Sequence, residues 1–155
     1  MPPKPPPKIS DLTAHSGYWL RLVSNAVSQD FARRVAEEGV TVAEWVFLRA
    51  LWDDSDLSPT VLAQKMAMTK GAISKLADRL LEKGLVARTP EPQDRRAHRL
   101  SLSPEGRAKV PRLARLADEN DAYYFETLTP RDRLQLARIL RSLAERRGLR
   151  DVPVD

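Results

Sequence analysis

The chain has 155 residues and a net charge of +5, with 42% hydrophobic and 30% charged residues, values typical of one globular domain with its own core. It contains no cysteine, which excludes disulfide bonds, thiolate metal sites and cysteine nucleophiles and fits a reducing cytoplasm, where we expect the protein. No apolar stretch approaches the roughly 20 residues that span a bilayer, and the start lacks the apolar centre of a signal peptide, so no membrane association is expected.

The N-terminal part of the chain begins with an irregular arm and continues with a helix. Five of residues 2–7 are proline, which predicts an extended, disordered arm over residues 1–10. The alternative is an arm that contacts an anionic partner weakly through Lys4 and Lys8. Apolar residues at helical spacing from Leu12 to Val35 predict a long first helix that ends at Gly39.

Several later helices are marked by their first residues. Thr41 and Glu44 form a T-x-x-E capping box, and three other starts pair a hydroxyl residue with proline. At such a start the hydroxyl accepts an unpaired backbone N–H, and proline has no N–H to leave unpaired. The pairs are Ser58-Pro59, Ser103-Pro104 and Thr129-Pro130, and they predict helices at 58–66, 104–127 and 130–147. Pro111 lies inside the second of these helices and either kinks it or delays its regular start.

Two short segments have the pattern of β-strands. Residues 85–88 and 98–102 are rich in strand-forming residues, and the second segment alternates polar and apolar side chains. The link at 89–97 contains two prolines and is too long for a two-residue hairpin turn. We therefore expect a projecting loop with Arg95 and Arg96 near its tip.

The helix at 58–66, a turn at 67–69 and a helix at about 70–83 have the spacing of a helix-turn-helix. The helix at about 70–83 has an apolar stripe on one side. On the opposite side, in its first two turns, it has polar residues, and this is where a recognition helix contacts base edges. The stripe is Ile73, Leu76 and Leu80, and the polar residues are Lys70, Ser74 and Lys75. The alternative is an ordinary amphipathic helix pair.

The positive charge is concentrated in the same part of the chain. Residues 57–110 carry 11 basic and 5 acidic side chains, a net charge of +6, whereas residues 1–56 have −2 and residues 111–155 have +1. A localised basic surface suits a polyanion such as DNA. A solvated surface without a partner has the same composition and is the alternative.

A helix-turn-helix followed at once by a two-stranded ribbon with a basic tip is the arrangement of a winged helix. The recognition helix fills the major groove, and the ribbon reaches the adjacent minor groove, whose negative potential attracts arginine. We expect Arg95 or Arg96 to lie there or on phosphate, with Asp94 stabilising the tip by local pairing. The alternative is a solvated turn.

Residues 62–107 resemble the MarR (multiple antibiotic resistance regulator) family of bacterial transcription factors. The resemblance is specific in the helix pattern at 70–81, in the strand that begins Gly84-Leu85-Val86, and in the D-R-R wing with S-P-E-G at 103–106. It implies a homodimeric winged-helix protein that binds a pseudo-palindromic operator, usually as a repressor that a ligand releases.

The resemblance also assigns residues to the DNA contact. Asp94 and Arg96 match the D-x-R motif of the family's wing, and Thr69, Ser74 and Lys75 match its groove-facing helix positions. The predicted DNA contacts are Thr69, Lys70, Ser74, Lys75, Arg79, Arg95 and Arg96. The thiol-sensing and zinc-responsive branches of the family fit poorly, since the chain has no cysteine and two histidines, and no metal or cofactor is expected.

The fold predicted from these observations is mainly α-helical with a small two-stranded β-wing. Residues 41–103 form the winged helix-turn-helix reader, residues 11–40 and 104–150 supply dimerisation helices, and residues 151–155 are a tail. The outer helices carry more apolar residues than a compact reader can cover, and a twofold partner would bury them and space two recognition helices about one DNA turn apart. These residues include Tyr123, Tyr124, Phe125, Leu128, Leu134, Leu140, Leu143 and Leu149. A monomeric bundle is the alternative.

A candidate effector pocket is formed by aromatic residues of the first two helices together with one cation, which suit an aromatic acid or a drug-like molecule. Its residues are His15, Tyr18, Trp19, Arg21, Trp45 and Trp52. Tryptophans at helical spacing are more typical of a core, and this interpretation stays open.

Two other classes of protein are disfavoured. The nucleotide-binding, metalloprotease and serine-hydrolase motifs G-x-x-x-x-G-K-[ST], G-x-G-x-x-G, H-E-x-x-H and G-x-S-x-G do not occur in the sequence, so an enzyme is not expected. A winged helix used only for protein–protein contact is expected to lack the basic tip and the polar face of the recognition helix.

Overall fold

The computed structural model describes residues 5–150, apart from the side chain of Arg95. Residues 1–4 of the predicted arm and the predicted tail at 151–155 lie outside the described residues. Within them the chain forms six helices and one two-stranded antiparallel sheet. A 3-10 turn at Leu12–Ala14 precedes α1 (Ser16–Glu37), α2 (Val42–Asp53), α3 (Pro59–Met66), α4 (Lys70–Glu82), β1 (Val86–Glu91), β2 (Asp94–Leu102), α5 (Pro104–Phe125) and α6 (Pro130–Arg147). Across the described residues, every helix is too short or too polar to cross a membrane.

The starts of α2, α3, α5 and α6 are those that the sequence predicts, whereas α1 begins at Ser16, after a separate 3-10 turn, and not near Leu12. The hydroxyl of Thr41 accepts the backbone N–H of Glu44, and the Glu44 carboxylate accepts the N–H of Thr41, which completes the capping box. Ser58, Ser103 and Thr129 each accept the N–H three residues ahead. Helix α5 begins at Pro104 and continues through Pro111, so a delayed start is excluded.

The prediction of a long loop between the strands is wrong. Strands β1 and β2 extend to Glu91 and Asp94, and residues 92–93 form a two-residue connection. Pro90 pairs with His98, and Glu91 pairs with Asp94, so residues 95–97 bulge out of β2. The prolines misled the prediction because proline is tolerated at sheet edges and bulges, and both β1 and β2 are edge strands.

The buried core belongs mainly to the reader and extends beyond its predicted limits of 41–103. Helix α1 contributes Val35, and helix α5 contributes Val110 and Leu113. The fully buried side chains of the reader itself include Phe47, Leu48, Leu51, Leu62, Ile73, Leu80 and Leu100. This core holds the helix-turn-helix and the base of the sheet as one unit.

One glycine is required by the close approach of two segments. A Cβ at Gly106 would collide with the backbone carbonyl of Leu85. Ser103 closes the same junction, since its N–H donates to the Leu85 carbonyl and its hydroxyl donates to the carbonyl of Gly84. The S-P-E-G motif therefore joins the first turn of α5 to the strand entry.

Candidate nucleic-acid interface

Helix α4 presents a polar side to solvent and an apolar side to the core. Ile73, Leu76 and Leu80 are buried, as predicted, whereas Lys70, Ser74 and Lys75 are exposed. The helix follows α3 after a turn at 67–69, in which Ala67 has the left-handed conformation (φ 51°). The exposed residues occupy the N-terminal half of the helix, where the helix dipole attracts phosphate.

Thr69 has a structural role in addition to its predicted DNA contact. Its hydroxyl accepts the backbone N–H of Ala72 at 3.1 Å and caps α4. The side chain remains exposed. Fixing this hydroxyl on the first turn positions the end of the recognition helix that would meet the bases.

Arg79 lies farther along α4, beside a buried carboxylate. Its Nε atom is 3.5 Å from Oε1 of Glu44, a residue that is only 1% exposed. Lys83 donates to Oε2 of Glu44 at 2.7 Å and to the carbonyl of Gly39 at 2.8 Å. The C-terminal half of α4 is thereby attached to the corner between α1 and α2. Sequence reasoning missed this cluster, because the capping box alone already accounted for Glu44.

The wing tip has the local pairing that the sequence predicts. Oδ1 of Asp94 accepts the backbone N–H of Arg96 at 2.9 Å, inside the bulge of β2. The side chain of Arg96 is exposed, whereas the side chain of Arg95 lies outside what the structure describes. The wing thus presents Arg96 to solvent on a backbone that Asp94 holds in shape.

Two further arginines attach the wing to the helices. Arg88 of β1 pairs with Asp78 of α4 at 3.0 Å. Arg99 of β2 pairs with Glu91 at 3.1 Å and with Asp56 of the α2–α3 loop at 3.1 Å. Hydrogen bonding to Glu91 and the charge of Asp56 raise the pKa of Arg99. Sequence reasoning missed all three pairs, because the partners are distant in the chain or belong to a predicted loop.

The six residues of the candidate effector pocket do not meet in one cavity of the described chain. Trp19 and Arg21 line a groove of about 940 Å³ between α1 and the α5–α6 region. Tyr18 packs edge-to-face on Trp19, with ring centroids 5.2 Å apart, and Nδ1 of His15 lies 3.3 Å from the carbonyl of Leu12. Trp52 packs against the core beneath the guanidinium of Arg107, 5.3 Å from its ring centroid.

Trp45 lines a second groove, of about 1000 Å³, between α1, α2 and α4. Trp45 and Trp52 are half-buried and pack against the core. Within the described residues, every charged side chain that lines this groove is basic: Lys65, Lys75, Arg79 and Arg150. The groove therefore combines an aromatic wall with a positive rim.

Comparison with known proteins agrees with this geometry. The model of the MarR family matches residues 38–97. The HTH-type transcriptional repressor MdtR of Bacillus subtilis is 31% identical over 126 residues, which are 81% of each chain. The crystal structure of YusO from Bacillus subtilis has a TM-score of 0.73 and 30% identity, covering 86% of this chain and 95% of that one.

A third similar protein is BpsR of Bordetella bronchiseptica, whose structure is described in terms of regulation of its DNA binding by 6-hydroxynicotinic acid. It has a TM-score of 0.73 and 25% identity, covering 88% of this chain and 98% of that one. The helix-turn-helix, the wing and the relatives together lead to one conclusion. The chain belongs to the MarR family of winged-helix transcriptional regulators, as the resemblance of residues 62–107 predicts.

Proposed function

We propose that this protein is a homodimeric repressor that binds a pseudo-palindromic operator, with α4 in the major groove and the wing in the adjacent minor groove. The observation that carries the proposal is the exposed row of Lys70, Ser74 and Lys75 on the first half of α4, followed by Arg96 on the wing. Lysine reaches guanine edges or phosphate, and serine donates to or accepts from bases. A bacterial operator lies in the cytoplasm, and we place the protein there.

The outer helices support the homodimer. Every residue of α6 is at least partly exposed, although the helix carries several leucines. The groove of about 940 Å³ separates α1 from the α5–α6 region and is lined by apolar residues that include Leu20, Val23 and Leu140. A second copy that inserted its own helix would bury both surfaces, as twofold interfaces do. Residues 11–40 and 104–150 then serve dimerisation, and residues 41–103 read DNA.

The groove beside Trp45 is the site that we propose for an anionic aromatic effector. Its rim contains Lys75 and Arg79, which belong to α4 and are two of the predicted DNA contacts. An aromatic carboxylate held there would compete with phosphate for these cations. BpsR, whose DNA binding is regulated by 6-hydroxynicotinic acid, sets the chemical class of ligand to test first. His15, Tyr18, Trp19 and Arg21 belong to the other groove or its surroundings.

The test is operator binding by the purified protein, measured by fluorescence anisotropy on fragments selected from the source genome. Lys75→Ala and Arg96→Ala should each weaken binding by ~1–3 kcal/mol, since base-edge contacts are of that size. Arg138→Ala, which removes one exposed charge from α6, is the matched control and should leave affinity unchanged. Wild-type affinity in both interface variants, or affinity that does not fall with salt, would contradict the proposal.

A further inference from the structure

The acidic segment of Asp53, Asp54 and Asp56, at the end of α2 and in the loop that follows, pairs with residues of α2 itself, α3 and β2. Asp53 pairs with Arg49 of α2 at 2.6 Å, Asp54 with Lys65 of α3 at 2.7 Å, and Asp56 with Arg99 of β2 at 3.1 Å. Exposed ion pairs of this kind contribute little to folding stability. Their distribution over α2, α3 and the wing instead points to a role in setting relative positions.

Arg99 makes the contact that reaches the wing. Its Nη1 donates to Glu91, at the end of β1 next to the wing turn, and its Nη2 donates to the backbone carbonyl of Asp56 at 3.0 Å. The next residues, Leu57 and Leu100, exchange two backbone hydrogen bonds of 2.8 and 2.9 Å. The planar guanidinium group of Arg99 therefore connects the α2–α3 loop, the base of β2 and the end of β1 that lies next to the wing turn.

The wing needs such an attachment. An isolated two-stranded hairpin is marginally stable in water, and the side chains of residues 92–94, together with that of Arg96, are exposed. The angle at which the strands leave the helix-turn-helix decides where Arg96 points. Arg88 braces the wing against α4 through Asp78, and Arg99 braces the opposite strand against the α2–α3 loop.

We propose that Arg99 is a positioning residue for operator recognition, which fixes the wing through Asp56 and Glu91 and so carries Arg96 into the minor groove. The inference rests on the proposed function, because it requires that Arg96 contacts DNA. Arg99 acts through Arg96 and makes no DNA contact of its own.

The test is a double-mutant cycle on operator affinity, measured by fluorescence anisotropy with the selected duplex. Arg99→Gln should weaken binding by about 3- to 10-fold, part of the loss in Arg96→Ala, and the double variant should bind as Arg96→Ala does. In the Arg96→Ala background, Arg99→Gln should leave the salt slope unchanged. When the A·T pairs whose minor groove lies under the wing are replaced by G·C pairs, Arg99→Gln should no longer reduce affinity.

Two variants control for charge and folding. Arg49→Gln breaks an exposed arginine–aspartate pair of the same acidic segment, away from the wing, and should bind like wild type. Arg99→Lys keeps the charge but loses the planar guanidinium group, and should lose affinity as Arg99→Gln does. Circular dichroism of each variant verifies the fold, and full binding by Arg99→Lys would overturn the positioning role.

The remaining outcomes separate the two proposals. Wild-type binding by Arg99→Gln, or additive losses in the double variant, overturns the positioning role while leaving the wing contact intact. A salt slope reduced by about 1 when Arg99→Gln is added to Arg96→Ala assigns Arg99 to a phosphate contact of its own and also overturns the positioning role. Wild-type binding by Arg96→Ala refutes the wing contact itself, and the role of Arg99 with it.

Discussion

The reader and the outer helices of this chain differ in how completely one copy buries its apolar residues. In the reader, Phe47, Leu62 and Leu80 are fully buried in a closed core. In α6, by contrast, Leu134 is 71% exposed and Leu143 is 48% exposed. The apolar core of the reader is closed within one chain, whereas the outer helices leave apolar surface exposed among the described residues.

Two of the outer helices, α1 and α5, are nevertheless fixed to each other by polar contacts. The amide of Asn120 on α5 donates to the carbonyl of Val27 on α1 at 3.1 Å, and the hydroxyl of Tyr124 contacts Asp30. These groups define how α1 lies on α5, because buried polar groups tolerate few alternative partners. The arrangement of α1 on α5 is thus set within one chain.

A cavity in the reader core should have the largest effect on folding. Phe47→Ala should lower the free energy of unfolding by about 3–5 kcal/mol, since it removes a fully buried aromatic side chain. Urea denaturation followed by circular dichroism measures the change. Leu134→Ala in α6 is the control, and at protein concentrations low enough for the monomer its effect should be small because the side chain is exposed. Equal losses in both variants would contradict the difference between the two regions.

A charge on the exposed side of α6 should act on assembly instead of folding. Leu140 lines the groove between α1 and the α5–α6 region, and Leu140→Asp should weaken the dimer by about 3 kcal/mol, roughly 100-fold, because an interface would bury an unpaired carboxylate. Sedimentation velocity measures the dissociation constant. Gln135→Asp, on an exposed polar position of the same helix, should remain dimeric. A dimer unaffected by Leu140→Asp would show that this groove is not the interface.

Alanine substitutions at two glycines should change the stability of the protein in opposite directions. Gly106→Ala should destabilise the protein by about 1–3 kcal/mol, since its Cβ would collide with the Leu85 carbonyl at the junction of the reader and α5. Gly17 lies in α1 with open space around it, and Gly17→Ala should stabilise by up to about 1 kcal/mol through helix propensity. Thermal unfolding of both variants checks the prediction, and equal signs would refute it.

The helices could be predicted from sequence because their signals are local. A capping box, three hydroxyl–proline pairs and the apolar stripe of α4 each involve residues within a few positions of one another. The wing was predicted less well. Pro90 and Pro92 suggested a loop, but strand pairing across the hairpin depends on the partner strand and on a bulge that tolerates proline.

The candidate site also divides into features that local sequence predicts and features that depend on distant residues. The exposed positions of Lys70, Ser74 and Lys75 follow from helical periodicity, and the hydrogen bond from Arg96 to Asp94 follows from a separation of two residues. The Glu44 cluster and the two grooves join segments that are far apart in the chain. Periodicity contains no information on such contacts, which is why the six predicted pocket residues were grouped by helix and not by cavity.

Replacing Arg79 should change operator affinity least among these variants, and the result can be compared directly with that for Lys75 on the same helix. Because Nε of Arg79 faces the Glu44 carboxylate at 3.5 Å, we expect Arg79→Gln to weaken operator binding less than threefold, against a loss of ~1–3 kcal/mol for Lys75→Ala. Glu44→Gln preserves an acceptor for the capping box but releases the arginine. It should therefore steepen the salt dependence of binding by about 0.9 per added phosphate contact. A loss above tenfold in Arg79→Gln, with a shallower salt slope, would instead show that operator DNA draws Arg79 away from Glu44, as its sequence position predicts.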